Sequence, residues 1–165
     1  MDVIDVVRKD HRRVAELFSR FRGGGGLTGL VRRVTGDVPR RQRRSAVEGI
    51  CRELDLHARL EEEIVYPAAR ATADPELGRL VGESLREHAR VKELVAQLRA
   101  TSPEDGEVDA RVDALEECVR HHVTKEEGEM LPRLEQVMPE RERAQLGRRM
   151  QARKRHTRTP RRRAA

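Results

Sequence analysis

At 165 residues the chain suits one compact domain with a tail, large enough to bury a core without disulfide staples. Hydrophobic residues at 36%, aromatics at 2% and charged residues at 39% leave an aliphatic core under a charged surface, which favours helices over sheets. The net charge of +6 is uneven: nine Lys/Arg and no acid occur from Arg148 onward, leaving 26 basic against 29 acidic residues before it. No apolar run approaches the ~20 residues of a membrane span, and the N-terminus lacks the basic-then-apolar order of a signal peptide, so a cytoplasmic, soluble protein is expected. Cys51 and Cys118 form neither a zinc ribbon nor a disulfide framework and are expected as reduced core thiols.

A first helix is predicted from about Asp2 to Arg22, because Ile4, Val7, His11, Val14, Phe18 and Phe21 recur on one helical face. The glycine-rich run from Gly23 to Pro39 is read as a long connection. A second helix, from about Arg40 to Thr72, carries Val47, Ile50, Leu54, His57, Glu61, Ile64, Val65 and Ala68 on its apolar face. Asp74-Pro75 is a cap followed by proline at the first helical position and opens a third helix to about Ala100. Its stripe includes Val81, Ser84, His88, Val91 and Val95. Ser102-Pro103-Glu104-Asp105 repeats that signal and opens a fourth helix, with Val112, Leu115, Val119, His122, Glu126 and Met130 inward and Pro132 bending its last turns. A short fifth helix is expected from about Pro139 to Gln151. The predicted fold is therefore an all-α, up-and-down four-helix bundle over residues 1–151, followed by a disordered basic tail over 152–165.

Each of the four main helices places a histidine in its apolar stripe, and two add a glutamate one turn further on. A carboxylate in an aliphatic core costs several kcal/mol unless compensated, and no Lys or Arg occupies these stripes, so Glu61 and Glu126 call for a metal ion. Counted at ~1.5 Å per residue from the shared turns, His57, Glu61, His88, His122 and Glu126 can meet in one layer. HARLEEEIVYP from His57 and HVTKEEGEMLP from His122 share H-x-x-x-E-E and a proline ten residues after the histidine.

That repeated cassette, with one inward histidine on each of the other helices, resembles the hemerythrin family, in particular its HHE cation-binding branch, over about Asp2 to Gln151. The resemblance implies two non-haem iron ions, oxo/hydroxo or carboxylate bridged, with Glu61 and Glu126 bridging, His11 and His57 on one iron, and His88 and His122 on the other. Zinc and manganese also suit these ligand types. Oxygen-carrying members have two histidines one turn apart on the third helix, whereas Ser84 and Lys92 flank His88 here. Water, hydroxide, Glu87 or Tyr66 is left to fill that position. The difference moves the expectation from oxygen storage towards catalase-like peroxide breakdown.

Tyr66 lies five residues after Glu61, ~140° away on an ideal helix, and reaches the site only if the helix bends locally. Glu62, Glu63, Glu127 and Glu129 are expected as a solvated collar, with Glu62 and Glu127 as outer hydrogen-bond partners of the ligands at most. His121 is rotated ~100° from His122 and is read as a boundary residue or an outer hydrogen-bond partner of the ligands. A ferritin-like site would need Glu-x-x-His, which no histidine here satisfies. The alternatives to an enzyme are an iron, oxygen or nitric oxide sensor, or a nucleic-acid-associated factor using Arg153, Lys154, Arg155, Arg161, Arg162 and Arg163 on phosphates.

Overall fold

A computed structural model describes residues 1–23, 40–101 and 106–158, except for the side chains of 40–42 and 158. The expected glycine-rich connection from residue 24, the Ser102–Asp105 cap, and the tail from residue 159, with Arg161, Arg162 and Arg163, lie outside the described residues. Among those described there is no strand, as an all-α chain requires.

The elements are α1 (Val3–Phe21), α2 (Arg40–Leu60), the wide turn π1 (Glu61–Val65), α3 (Tyr66–Ala71), α4 (Pro75–Ala100), α5 (Glu107–Lys125), the wide turn π2 (Glu126–Met130), α6 (Leu131–Val137) and α7 (Glu140–Arg158). Helix α1 packs on α2 and α5, and α4 packs on α5 and α2, which closes an up-and-down bundle. Caps behave as their residue types dictate. Asp2 and Asp5 form a reciprocal capping box at the start of α1. Asp74 accepts from Leu77 N–H at 2.9 Å while Arg133 grips its other oxygen at 2.6 Å, tying the start of α4 to α6.

The core is divided into two clusters. One contains Val7, Leu60, Tyr66, Leu77, Met130 and Met150. The other contains Val14, Ile50, Leu54, Val91, Leu98 and Leu115. Between them runs the layer of histidines and glutamates.

The fifth helix is not short. It runs nineteen residues to Arg158, so the expected boundary at residue 151 is corrected: residues 152–158 are helical. Apolar periodicity fades after Met150, but Lys154 pairs with Asp10 and Arg153 reaches Glu63 at 3.4 Å, so charge contacts carry the helix on. Arg143 anchors its start, bonding Asp2 at 2.8 Å and the Met138 carbonyl at 2.7 Å.

Gly147 is where α7 touches the first residues of the chain. A methyl group there would lie 2.5 Å from the Met1 carbonyl oxygen and 2.9 Å from the Asp2 carbonyl carbon. Alanine normally gains up to ~1 kcal/mol over glycine within a helix. Backbone atoms cannot move aside as a side chain can, so Gly147→Ala should instead destabilise the protein by about 1–3 kcal/mol, the range for overpacking. Denaturant melts check this, and a more stable variant would contradict it.

Candidate metal centre

Helix α1 supplies His11, α2 His57, π1 Glu61, α4 His88, α5 His122 and π2 Glu126, and none is more than 6% exposed. The two glutamates open the two π turns. In these, Tyr66 N–H bonds to the Glu61 carbonyl and Leu131 N–H to the Glu126 carbonyl. The cause lies in the repeated cassette, because Pro67 and Pro132 have no N–H to continue an α ladder and would collide with the carbonyls of Glu63 and Gly128. Widening the preceding turn relieves both problems, and such π turns recur at functional sites.

The wide turn also redirects Tyr66. An i→i+5 bond brings residue 66 back over residue 61, so the phenol enters the core instead of pointing ~140° away. Its hydroxyl donates to Glu61 Oε2 at 3.1 Å and lies 3.3 Å from His88 Nε2 and 3.4 Å from Glu126 Oε1. The corresponding residue of the second cassette is Leu131, so only one side of the layer carries a hydroxyl.

Every histidine turns Nε2 inward. His57 and His88 Nε2 each lie 3.3 Å from Glu61 Oε2, while Glu126 Oε2 is 3.1 Å from His11 Nε2 and 3.6 Å from His122 Nε2. The opposite nitrogens face a ring of carboxylates. His11 Nδ1 bonds Glu127 at 2.7 Å, His88 Nδ1 bonds Glu62 at 3.0 Å, and His122 Nδ1 bonds Glu87 at 3.0 Å. Glu62 and Glu127 therefore leave the solvated collar expected of them and hold the imidazoles, fixing which ring nitrogen faces the centre. Glu87 does the same and is turned away from the centre. His121 stays at the boundary, exposed, 3.5 Å from Glu87. Cys51 is buried and Cys118 half-buried, and both are free thiols.

Burial disfavours each charge in the layer, and neighbours decide which survive. His57 is pushed down to about 4, chiefly by burial, and His88 is lowered for the same reason. For His11 burial acts downward too, yet Glu126, Glu61 and Glu127 lift it to about 9. Glu126 is held down to about 2 against its burial by His11, His122 and His57. Burial and the adjacent Glu126 charge drive Glu61 well above the usual carboxylate range. Without an added cation, burial keeps a proton on Glu61 while the adjacent carboxylates keep one on His11.

The buried His11 Nε2, both ring nitrogens of His57, Glu61 Oε1 and Glu126 Oε2 have no hydrogen-bond partner. Buried polar atoms crowded together in a dry layer without well-formed hydrogen bonds cost free energy, and a cation in place of the protons would receive them. Two overlapping sets, His11/His57/His122/Glu126 and His57/Glu61/His88/His122, each bring their ligand atoms within 4.8 Å of one another. The donor set fits a divalent or trivalent transition metal. Because protons must leave for a metal to bind, uptake should release them and should tighten as pH rises from 6.5 towards about 9, where His11 loses its proton. Metal titrations across that range check this, and pH-independent uptake would contradict it.

A helical bundle with imidazoles and carboxylates gathered in its core defines a metal-binding protein. The Hemerythrin HHE cation binding domain family matches residues 2–134, and the chain belongs to that family. A crystal structure of a Hemerythrin HHE cation binding domain-containing protein from Mycobacterium kansasii superposes with a TM-score of 0.74 at 20% identity, covering 94% of this chain and 86% of that one. A DNA nickase from Nostoc sp. is 28% identical over 130 residues, 77% of this chain and 32% of that protein. The chain thus spans about a third of that curated relative's length. No helix among the described residues is long and apolar enough to cross a membrane.

Asp10 escaped sequence reasoning. It is buried, with Oδ2 4.0 Å from His57 Nδ1. Its only sequence signal is an acid beside a stripe histidine, the register at which a charge is ordinarily solvated.

Proposed function

We propose that the chain holds two iron ions through His11, His57, Glu61, His88, His122 and Glu126 and uses them to consume a small oxidant, with peroxide as the favoured substrate. The ring centroids support the pairing. His11 and His57 lie 4.9 Å apart and His88 and His122 4.7 Å, against 6.2–6.4 Å for His11–His122, His57–His88 and His57–His122. Each glutamate turns one oxygen, Oε2, towards one histidine of each pair, which places it between the two proposed positions.

Tyr66 carries the choice of peroxide. Of the residues that flank His88 one turn away, Ser84 lies 3.9 Å from Met130 Sδ and also hydrogen-bonds the Tyr66 hydroxyl, Lys92 is held by Glu62 at 2.7 Å, and Glu87 is committed to His122. The phenol is therefore the polar group that stands in the gap on the α4 side. Burial, then the neighbouring carboxyl groups of Glu61 and Glu126, push it well above its ordinary range, so it keeps its proton. Iron, when bound, supplies Lewis-acid and redox chemistry. The Tyr66 hydroxyl holds a proton beside that chemistry, where cleavage of an O–O bond consumes one. Iron-loaded protein should evolve oxygen from peroxide and change its optical spectrum on adding peroxide. If neither occurs, peroxide breakdown is ruled out.

A second reading, a binder or sensor of dioxygen or nitric oxide, rests on a cavity of about 20 Å³ against the four imidazoles, walled by Val14, Leu54, Val91 and Val119. That is room for about one small molecule, and its aliphatic walls suit an apolar diatomic. Spectral change with nitric oxide but no oxygen evolution from peroxide would favour it. Nucleic-acid association is the third reading, and its support is the likeness to the Nostoc protein. Lys154 is taken up by Asp10, so such a role is proposed for the basic residues beyond 158. Unaltered, salt-sensitive DNA retention after removing residues 159–165 would dismiss a tail arm.

A further inference from the structure

Three lysine–carboxylate–histidine chains surround the layer. Lys92 holds Glu62, which bonds His88, and Lys125 holds Glu87, which bonds His122. The third is built differently. Lys154 comes from α7, outside the four-helix core, and grips Oδ1 of Asp10, leaving Oδ2 4.0 Å from His57 Nδ1. The first two lysines have side chains 50% and 29% exposed, whereas Lys154 is 15% and Asp10 10% exposed. Lys154 and Asp10 are thus a desolvated ion pair, while the others lie at the rim.

A desolvated pair contributes little net stability, because taking both charges from water offsets most of their attraction. Its effect is on geometry. With Lys154 in place the Asp10 carboxylate is pinned beside His57, the only one of the four imidazoles whose Nδ1 and Nε2 both lack a hydrogen-bond partner. Without Lys154, a buried carboxylate would be left uncompensated next to that ring and would have to turn or draw in water. The packing also runs the other way: Asp10 adjoins His11, so Lys154 ties the C-terminal helix to the segment of α1 that supplies a second inward imidazole.

We infer that Lys154, acting through Asp10, is a positioning residue for His57, so that docking of the C-terminal helix sets how firmly one of the two metal positions is held. The inference rests on the reading of His57 as a metal ligand. Outer partners of ligating histidines are typically worth about 10–100-fold in metal affinity.

The test uses the full chain loaded with iron, and separately with cobalt as an optical probe. Metal content per chain after graded chelation, and the absorption spectrum, are read for Lys154→Met, Lys154→Arg, Asp10→Asn and His57→Ala. Lys154→Met and Asp10→Asn should each release one metal equivalent at about 10–100-fold lower chelator concentration and alter the spectrum. Lys154→Arg should restore retention, and combining Lys154→Met with Asp10→Asn should lose no more than Asp10→Asn alone. Arg153→Gln, which removes the neighbouring contact to exposed Glu63, should change nothing. Folded Lys154→Met with wild-type retention and spectrum overturns the inference. Should that variant not fold, Asp10→Asn decides in its place, and unchanged retention there overturns it equally. If His57→Ala keeps both metals, the ligand reading itself has failed. If His57→Ala loses one and Lys154→Met loses none, only the positioning role has.

Discussion

Tyr66→Phe should leave the bundle folded and its metal bound while lowering peroxide turnover about 10²–10⁴-fold, the usual contribution of a positioned proton donor. Phenylalanine fills the same volume between Leu60 and the metal-facing residues, and the aromatic body of residue 66 is already fully buried. What is lost is one hydroxyl, 3.1 Å from Glu61 and 3.3 Å from His88. Removing a buried donor costs about 1–3 kcal/mol where its acceptor is left unsatisfied, but Glu61 is itself driven towards its neutral form and faces the metal position. The cost to folding should therefore sit at the low end. Leu131, at the same place in the second cassette, provides the control, since Leu131→Phe alters packing without touching a proton. Metal content measured beside oxygen evolution separates the two effects. A Tyr66→Phe protein with full metal and undiminished turnover would remove the phenol from the chemistry.

Stripping the metal is the second large perturbation. The layer holds two carboxylates and four imidazoles in a dry plane between two aliphatic clusters, with several of their atoms unpartnered. A ligand present at a hundred times its dissociation constant stabilises the folded state by about 2.7 kcal/mol. At roughly 2–4 °C per kcal/mol for a chain of this size, chelation should lower the melting temperature by roughly 5–11 °C. The shift should exceed that of Gly147→Ala at the α7 contact unless overpacking there reaches the top of its range. A melting temperature unmoved by demonstrated metal release would mean that the unpartnered atoms find water or each other without cost.

The six inward residues were legible in the sequence because helical periodicity is a local property. A histidine at every fourth or third place of an apolar stripe must face the core, whatever the core proves to be, and His11, His57, His88 and His122 do. The H-x-x-x-E-E cassette and its proline were legible for the same reason, although the wide turns they cause were not read from them. The start of α4 at Asp74-Pro75 was also local, since its cap needs only the residues at hand.

Sequence alone therefore determined the helical class, the inward histidines and glutamates, and the requirement for a compensating cation, all of which follow from the spacing of charge within apolar stripes. Tertiary structure decided the rest. It swung Tyr66 into the layer through a turn whose geometry departs from the ideal helix, and it brought Glu62, Glu87 and Glu127, which the sequence left between solvent and the site, onto the outer nitrogens of the imidazoles. It also extended the last helix past its apolar period, because Lys154 finds Asp10, 144 residues earlier in the chain. Such pairings join residues far apart in the chain, and their energy exists only once the helices are packed.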